Sequence, residues 1–462
     1  VLGLLLSVAG LAMAMDAARR LAGRDRRVLP LGALVVVALP PFWDFGTSGL
    51  ETGLIVGWLG LTWWLLVRRL EALRAGVGGR AWPAAVVLGL APLVRPDLAL
   101  FGLAAAVVLV LLEWRRGRWR LAGLAAVAVA IPLAYEVFRA GYYGLLVPST
   151  ALAKEAGDPR WAQGLSYVRD LVDTYALVVP LAALVLAATT GGFIALRRSA
   201  GPDRLAAIAV AAAPVLAGVL MAVYVVRVGG DFMHGRMLLP ALFAVALPVM
   251  VVPLAWRSLL PVLVTGVWAL VAVLGLRPAY EMQGPDGIAN ERLYYVSLLG
   301  VAHPVVAEDF RDHPVAPEGV AALVAASRPS LALPVPGEDD LDWLLFPEAP
   351  GTPPTIVWLN LGVTGELAPL DVRVLDGVGL TNPLAAHATG VPGGRIGHDK
   401  DLPAIWYLAD TGVADPAGFR SAEELAAARA ALACPRTVEL LESVRAPLTA
   451  DRFWRNLTGA WE

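Results

Sequence analysis

The sequence predicts a polytopic α-helical membrane domain with many spans, followed by a smaller α/β domain. The 462-residue chain is 58% hydrophobic and only 16% charged, with a mean hydropathy of +0.65, whereas soluble domains carry about 25% charged residues. Long apolar runs fill the chain up to about Arg277, and none long enough to span a bilayer follows Pro278. We therefore predict a membrane domain at 1–277 and a soluble domain at 278–462.

Composition also excludes several classes of protein. The chain is too apolar for intrinsic disorder, its 46 glycines follow no collagen period, and its one cysteine, Cys434, cannot build a disulfide scaffold. The 37 basic and 39 acidic residues leave a net charge of −2. Because nucleic-acid binding depends on excess positive charge, we expect no nucleic-acid partner.

Ten segments are candidate spans. Pro30, Pro40 and Pro41 bracket the second, and Arg95-Pro96-Asp97 separates the fourth from the fifth. Broken helices at membrane depth occur only where the backbone is buried in protein or lines a wet cavity. The pattern therefore predicts a buried polar site in the membrane domain. The ten candidate spans lie near 1–18, 28–42, 50–67, 82–94, 97–113, 121–138, 174–196, 205–226, 237–255 and 258–276.

The loops between these segments differ in charge. One alternate set carries 17 basic residues and the other carries 7. By the positive-inside rule the first set is cytoplasmic, which predicts a plasma-membrane protein whose 278–462 domain lies outside, in the periplasm or envelope space. In this orientation Val1 lies at the outer face, so we expect an upstream span and outer loop, and we interpret the chain as N-terminally truncated.

The first two outer loops contain charged residues beside apolar helices. In the first loop, Asp44 precedes Thr47 and Ser48, which are candidate N-caps for the span near Leu50. Helix capping by this loop is the alternative to a functional role for Asp44. Glu51 needs a partner, since a carboxylate entering an apolar helix usually marks function. In the second loop, Arg95 either pairs with Asp97 or binds a phosphate.

The third and fourth outer loops carry the remaining candidates. Tyr142 and Tyr143, between glycines, are either belt residues or binding residues, and they precede Lys154. The fourth loop runs from Arg227 to Arg236, and its Gly229-Gly230 pair permits a tight turn. The alternative is a charged turn, although a turn needs neither a histidine nor four ionisable groups. The five histidines form no metal-binding set, and we expect His234 to have only Asp231 beside it.

Taken together, these loops resemble one family. The segments are Gly46–Thr52, Leu93–Asp97, Tyr142–Lys154, Gly229–Arg236, Asp376–Ala385 and Pro392–Lys400. They are similar to the terminal β-(1→2)-arabinofuranosyltransferases of cell-wall arabinan synthesis, some of whose bacterial relatives are named flagellar motor control proteins. The resemblance implies a GT-C type glycosyltransferase that uses a polyprenyl-phosphate-linked sugar, decaprenyl-phosphoryl-arabinose in the named members. It also places the principal catalytic Asp in a first outer loop, before this sequence begins.

The chemistry of glycosyl transfer assigns expected roles. Cleavage of the sugar–phosphate bond develops positive charge on the sugar and negative charge on the phosphate. We expect a lipid bilayer and a cell-wall polysaccharide acceptor as partners, no evident cofactor, and we leave a divalent cation open. Secondary carboxylates would be Asp231, Glu51 and Asp44. Donor phosphate and sugar would contact Arg95, Asp97, Lys154, His234, Arg236, Tyr142 and Tyr143.

The second domain reads as α/β. Strands are expected at 355–361 and 372–375, and helices at 417–433 and 437–444. Its Gly-rich loop carries Arg395, His398, Asp399 and Lys400, which we interpret as an acceptor contact or a cap over the site, with a solvated charged loop as the alternative.

Two other functions remain open from the sequence. A non-catalytic envelope or motility scaffold agrees with the second family name. A transporter agrees with the broken helices and intramembrane charges, but transporters rarely append some 180 outer residues, and the hydropathy shows no inverted repeat.

Overall fold

The computed structural model describes residues 1–154, 159–198, 202–280, 282–337, 341–392, 394–415 and 418–461. The chain forms two compact units. The first unit comprises Val1–Tyr135 and Pro159–Asn290, and the second comprises Glu136–Asp158 and Glu291–Glu462. The first unit is built of helices apart from one short strand pair, and the second combines helices with a four-stranded sheet. The predicted fold class, a polytopic helical domain followed by an α/β domain, is confirmed.

Six helices in the described residues are long and apolar enough to cross a membrane. A seventh crossing results if two helices, Trp161–Thr174 and Val178–Thr190, which meet at 88°, count as one broken span. Each of the six overlaps a segment predicted from hydropathy. Their bounds are Leu2–Ala22, Thr52–Arg74, Pro96–Arg116, Arg118–Tyr143, Arg204–Arg227 and Trp256–Leu274.

Three of the other four predicted spans are shorter than expected, while the segment near 174–196 lies largely in the helix Val178–Arg198. The segment near 28–42 becomes a two-residue strand, Val28–Leu29, and two helices, Gly32–Ala38 and Pro40–Thr47. Proline lacks a backbone N–H and clashes with the preceding turn, so Pro40 begins a new helix rather than continuing the old one. The segments near 82–94 and 237–255 are also broken, into Trp82–Gly89 with Ala91–Val94 and into Leu239–Ala246 with short 3₁₀ turns.

Small residues allow the first helix to pack closely on the third predicted span. A Cβ on Gly60 would lie 2.2 Å from the carbonyl oxygen of Gly10, and one on Gly53 would lie 2.2 Å from that of Gly3. Close backbone approach through small residues is typical of helix pairs in membranes, where packing rather than water exclusion holds helices together. This contact fixes the orientation of the Thr52–Arg74 helix, at whose start Glu51 lies.

The second unit has a mixed sheet. Ser330–Pro336 and Leu341–Pro347 form an antiparallel hairpin, and Ser330–Pro336 also pairs in parallel with Thr355–Val357, which pairs in parallel with Arg373–Leu375. The last two strands confirm predicted ones, but the hairpin was not predicted. The helices are Ser149–Ala153, Glu291–Leu299, Ala316–Ala325, Leu361–Leu367, Pro383–Ala386, Ala404–Asp410, Ala422–Leu432, Pro435–Arg445 and Ala450–Gly459.

The packing units do not divide the chain at Pro278. Residues 278–290 pack with the helices of the first unit, and 136–158 pack within the second. The second assignment is explained by contacts to the helix Ala450–Gly459. A Cβ on Gly141 would lie 2.2 Å from the Phe453 ring, and Asn456 donates to the Tyr142 carbonyl at 3.5 Å. The division of 1–277 from 278–462 by membrane side remains a prediction.

Candidate functional site

A carboxylate–guanidinium cluster lies where two long helices of the first unit begin. Arg95 donates from Nε and Nη2 to the two oxygens of Asp97, at 2.6 and 2.8 Å, and from Nη1 to Glu51 at 3.1 Å. Glu51 precedes the Thr52–Arg74 helix, and Asp97 lies in the first turn of Pro96–Leu98. Glu51 therefore has the partner that the sequence required. Its side chain is 30% exposed, against 13% for Arg95.

A second ion pair adjoins this cluster. Arg236 donates from Nε to Asp231 at 2.7 Å, and both side chains are nearly buried. The positive charge of Arg236 acts on Glu51, which places the two pairs in one electrostatic group. The two Nη groups of Arg236 have no hydrogen-bond partner among the described residues, yet neither is fully enclosed. This guanidinium is therefore fixed at one edge and open at the other.

Glycines shape the loop that carries this pair. Gly230 has a φ of 79°, and a Cβ there would lie 2.3 Å from the Tyr167 ring. Gly235 has a φ of 71°, and a Cβ there would lie 2.8 Å from a methyl carbon of Leu171. Left-handed backbone and lack of space both require glycine at these positions. The Gly229-Gly230 turn predicted from the sequence is a real constraint on the loop.

His234 does not have the partner that the sequence predicted. Asp231 binds Arg236, and His234 Nδ1 lies 2.5 Å from Oδ2 of Asp170. Its Nε2 lies 3.2 Å from the Tyr175 hydroxyl. The expectation of Asp231 as the neighbour of His234 is wrong because Asp170, 64 residues earlier in sequence, is brought to the loop by the Trp161–Thr174 helix.

The polar network of Asp170, His234 and Tyr175 extends to the segment that follows the helix Trp256–Leu274. The Tyr280 hydroxyl lies 3.1 Å from both Asp170 oxygens and 3.0 Å from His234 Nδ1. Burial, followed by the Asp170 charge, raises the pKa of the Tyr280 phenol. Ala289, in the same segment, accepts the His234 N–H at 2.9 Å and donates to the Phe232 carbonyl at 2.6 Å. These bonds hold the segment around Ala289 against the Gly229–Arg236 loop.

The sequence missed Asp170, Tyr167 and Tyr280. The first two lie on an amphipathic helix and are three residues apart, which puts them on one face. Tyr167 is fully buried, and its hydroxyl donates to the Met233 carbonyl at 2.8 Å. A polar face on a helix beside a charged loop was the available signal, but nothing local to that helix identified the loop as its partner.

Asp44 lies at the margin of the network. Its charge acts on Tyr175, the partner of His234. The predicted capping role of its neighbours is wrong: Thr47 hydrogen-bonds to carbonyls of its own helix, and the Thr52–Arg74 helix begins with no side-chain cap. Ser48 Oγ instead accepts the N–H of Leu50, ahead of that helix.

A small apolar cavity of about 30 Å³ lies among the same helices. Trp58, Trp63 and Phe101 are among its lining residues, with Pro214 on the neighbouring helix and the unpaired hydroxyl of Thr62 as the polar exception. Trp58 follows Glu51 by seven residues, about 10 Å along a helix at 1.5 Å per residue. The cavity therefore lies deeper along the same helices than the charged cluster.

No group of three or more His, Cys, Asp or Glu side chains positioned to hold a metal ion occurs within the ranges that the structure describes. The carboxylates of the cluster are instead engaged by guanidinium groups.

The remaining candidates belong to the second unit. Tyr142 and Tyr143 are 43% and 46% exposed, and their rings meet edge to face at 4.6 Å. Lys154 follows the Ser149–Ala153 helix and passes close to Gly397, where a Cβ would lie 3.6 Å from Lys154 Cε. Lys154 was predicted to contact the donor, but within its own unit it is a neighbour of the Gly-rich loop.

The Gly-rich loop divides into buried and accessible residues. Lys400 is buried and donates to the carbonyls of Ala386, at 2.6 Å, and Leu152, at 3.2 Å, so it fastens the loop to two short helices. Asp399 is also buried, whereas Arg395 and His398 are half-buried and form a β-bridge with each other. Of the four predicted contacts, Arg395 and His398 are the accessible ones.

Comparisons with known proteins agree with this architecture. Residues 331–461 match the AftB family C-terminal domain. The terminal beta-(1->2)-arabinofuranosyltransferase of Mycobacterium tuberculosis is 39% identical over 526 residues, covering all of this chain and 82% of the relative. The protein of the same name from Corynebacterium glutamicum is 33% identical over 93% of this chain and 69% of the relative. No solved structure matches. The family resemblance is confirmed, with no support for the scaffold alternative: the chain belongs to the terminal β-(1→2)-arabinofuranosyltransferase family.

Proposed function

We propose that this membrane protein transfers arabinofuranose from a polyprenyl-phosphate donor to the ends of cell-wall arabinan, at the outer face of the plasma membrane. The names of its relatives support the sugar and the type of linkage. One observation supports a lipid-linked phosphate donor: the open Nη edge of Arg236 lies beside the Arg95 cluster in a unit built of membrane-length helices.

The two arginines fit the phosphate of such a donor. A guanidinium presents parallel N–H groups that match two phosphate oxygens, and it stays charged in a desolvated site. Asp231 holds Arg236 at Nε, so its Nη edge is oriented before the donor arrives. Preorganised cations of this kind stabilise charge that develops on a leaving group without reorganising during the reaction.

In the transfer itself, the bond between the anomeric carbon and the phosphate oxygen breaks, and the acceptor hydroxyl oxygen forms the new bond to that carbon. The electron pair of the broken bond leaves with the phosphate, where Arg236 and Arg95 face it. The acceptor proton passes to a carboxylate. Glu51 is the most exposed carboxylate of the cluster at 30%, against 9% for Asp97 and 5% for Asp231. We assign Glu51 to orient sugar hydroxyls, as a secondary carboxylate.

We place the lipid tail of the donor in the bilayer, against the apolar faces that the membrane-length helices expose. The apolar cavity, at about 30 Å³, is too small to hold an isoprenoid chain. Arg395 and His398, the accessible residues of the Gly-rich loop, are proposed contacts of the polysaccharide acceptor.

Transfer can be tested directly with the intact protein in lipid vesicles. The donor is a radiolabelled polyprenyl-phosphate-linked arabinofuranose, and the acceptor is a short arabinan. We expect a β-(1→2)-linked product, and at least a hundredfold lower rate for Arg236→Ala, since one lost stabilising donor costs about 10²–10³ in rate. Arg120→Ala is the matched control because Arg120 is a partly exposed arginine of another cluster. Normal transfer by Arg236→Ala would remove the fourth loop from the site.

Orientation has an independent test. Cys434 is the only cysteine of the chain and is exposed in the second unit. A membrane-impermeant maleimide should label it in intact spheroplasts. In the Cys434→Ser background, Asp25→Cys, at an exposed position on the predicted cytoplasmic side, should become labelled only after the membrane is opened. The reverse pattern would exclude transfer at the outer face.

A further inference from the structure

The Gly229–Arg236 loop cannot hold its own shape. Three of its glycines, Gly229, Gly230 and Gly235, have φ values of 89°, 79° and 71°. Glycine loses more backbone freedom on ordering than any other residue, so contacts outside the loop must supply the compensating energy. The position of Arg236, at the end of this loop, therefore depends on residues elsewhere in the first unit.

One face of the Trp161–Thr174 helix supplies such contacts. The Tyr167 hydroxyl donates to the Met233 carbonyl at 2.8 Å and accepts the Met237 N–H at 3.1 Å, one residue to either side of the His234–Arg236 stretch. One turn further along the helix, Asp170 contacts His234 at 2.5 Å. The loop is thus held on both sides of Gly235.

Asp170 joins three separate segments. It contacts His234 on the loop and the Tyr280 hydroxyl on the segment after the last long helix. That segment returns to the loop through Ala289, which bonds to the backbones of His234 and Phe232. With an acidic partner at Nδ1, His234 donates from that nitrogen to the carboxylate, which leaves Nε2 for the Tyr175 hydroxyl. The ring orientation is then fixed from both sides.

We propose that Asp170 is a positioning residue for the donor phosphate, acting through His234 on the loop that carries Arg236. This inference rests on the proposed function for the identity of the phosphate. Asp170 need not contact the donor. Its effect is to hold the Arg236 guanidinium at the place where the phosphate binds, and Tyr280 supports the same carboxylate from the other side.

The test is donor binding and kinetics of the intact protein in vesicles. Asp170→Asn should raise the donor KM and the Kd of farnesyl phosphate about tenfold, leaving the acceptor KM unchanged. Tyr280→Phe should change both in the same direction by two- to threefold. Asp173→Asn is the matched control, because Asp173 is exposed on the same helix and its side chain makes no hydrogen bond to described residues.

A merely structural role predicts a different result, namely fewer active molecules with both KM values and the Kd unchanged, and that result would overturn the inference. If the wild-type protein binds farnesyl phosphate with the expected response to Asp170→Asn but transfers no arabinose, the proposed function fails while the positioning role stands. If the wild-type protein binds no farnesyl phosphate, both are overturned.

Discussion

The helices Thr52–Arg74 and Ala99–Glu113 lie between two charged clusters, one at each end, and the two clusters differ in one respect. At one end Arg95 joins Glu51 and Asp97. At the other, Arg69, near the end of the Thr52–Arg74 helix, binds Glu113, which ends Ala99–Glu113. From Glu51 to Arg69 the chain rises about 27 Å at 1.5 Å per residue, close to the thickness of a bilayer core.

The difference lies in access. Glu113 is 0% exposed and accepts from Arg69 and from Arg120, whereas Glu51 keeps 30% of its side chain exposed. Arg69 also donates to the Gly79 carbonyl at 2.9 Å, tying the following loop to the helix. The same residue chemistry thus occurs in an enclosed and in an accessible cluster. A cluster enclosed by its own partners holds helices together, and one that retains exposed carboxylate and guanidinium edges can receive a ligand.

The largest expected effect is on the enclosed cluster. Glu113→Gln leaves Arg69 buried without a counter-ion, and breaking a buried pair in this way costs about 3–5 kcal/mol. We expect a large fall in the temperature of unfolding in lipid nanodiscs. Arg120→Gln, on a side chain 37% exposed, should cost at most about 1 kcal/mol. Equal unfolding temperatures for Glu113→Gln and wild type would remove the distinction between the clusters.

The next effect is on the open cluster. Arg95→Lys keeps the charge but loses the two-point contact with Asp97, and a hydrogen bond between charged groups is worth about 1.5–3 kcal/mol. We expect transfer to fall about 10- to 150-fold, measured with the labelled donor. The unfolding temperature should change far less than for Glu113→Gln. A loss of stability as large as that of Glu113→Gln, with transfer retained, would show that this cluster too is only structural.

The smallest effect concerns a carboxylate of the second unit that, unlike Glu113, accepts no hydrogen bond from a described guanidinium. Both Glu348 oxygens are buried without a hydrogen-bond partner among the described residues. Burial raises the pKa of Glu348 to about 6, while the nearby Thr355 hydroxyl and then the Arg373 charge lower it. Since the folded pKa exceeds the unfolded value, the protonated carboxyl favours the folded state. Its contribution is full below about pH 4.5 and is lost as the pH rises through 6.

With allowance for solvent screening, we expect about 1 kcal/mol between these pH values. Hydrogen exchange of the peptides spanning 330–336 and 355–357 should accelerate, after correction for intrinsic rates, between pH 4.5 and 7. Glu348→Gln should abolish that change. Unaltered pH dependence in Glu348→Gln would assign it to another group. His313 is not that group, because burial lowers its pKa and its stability contribution is lost as the pH falls.

Much of the architecture was predictable because its causes are local. Apolar run length identified the six helices that are long and apolar enough to span a membrane within the described residues, and Pro40 marked the break in the second segment. Glu51 and Arg95 were recognisable because isolated charges beside apolar helices need partners. The hairpin at 330–347 was missed, since its buried first strand and half-exposed second strand show no clear alternation.

Hydropathy and charge bias were enough to predict the class of protein, its long helices and the loops that carry its charged residues. The reason is that the free energy of moving a side chain from water to lipid depends mainly on that side chain. Three-dimensional packing was needed to join His234 to Asp170, to place Lys154 beside Gly397, and to enclose Glu113 while leaving Glu51 accessible. These outcomes depend on which helices meet, and contacts between residues 44 to 243 positions apart leave no periodic trace along the chain.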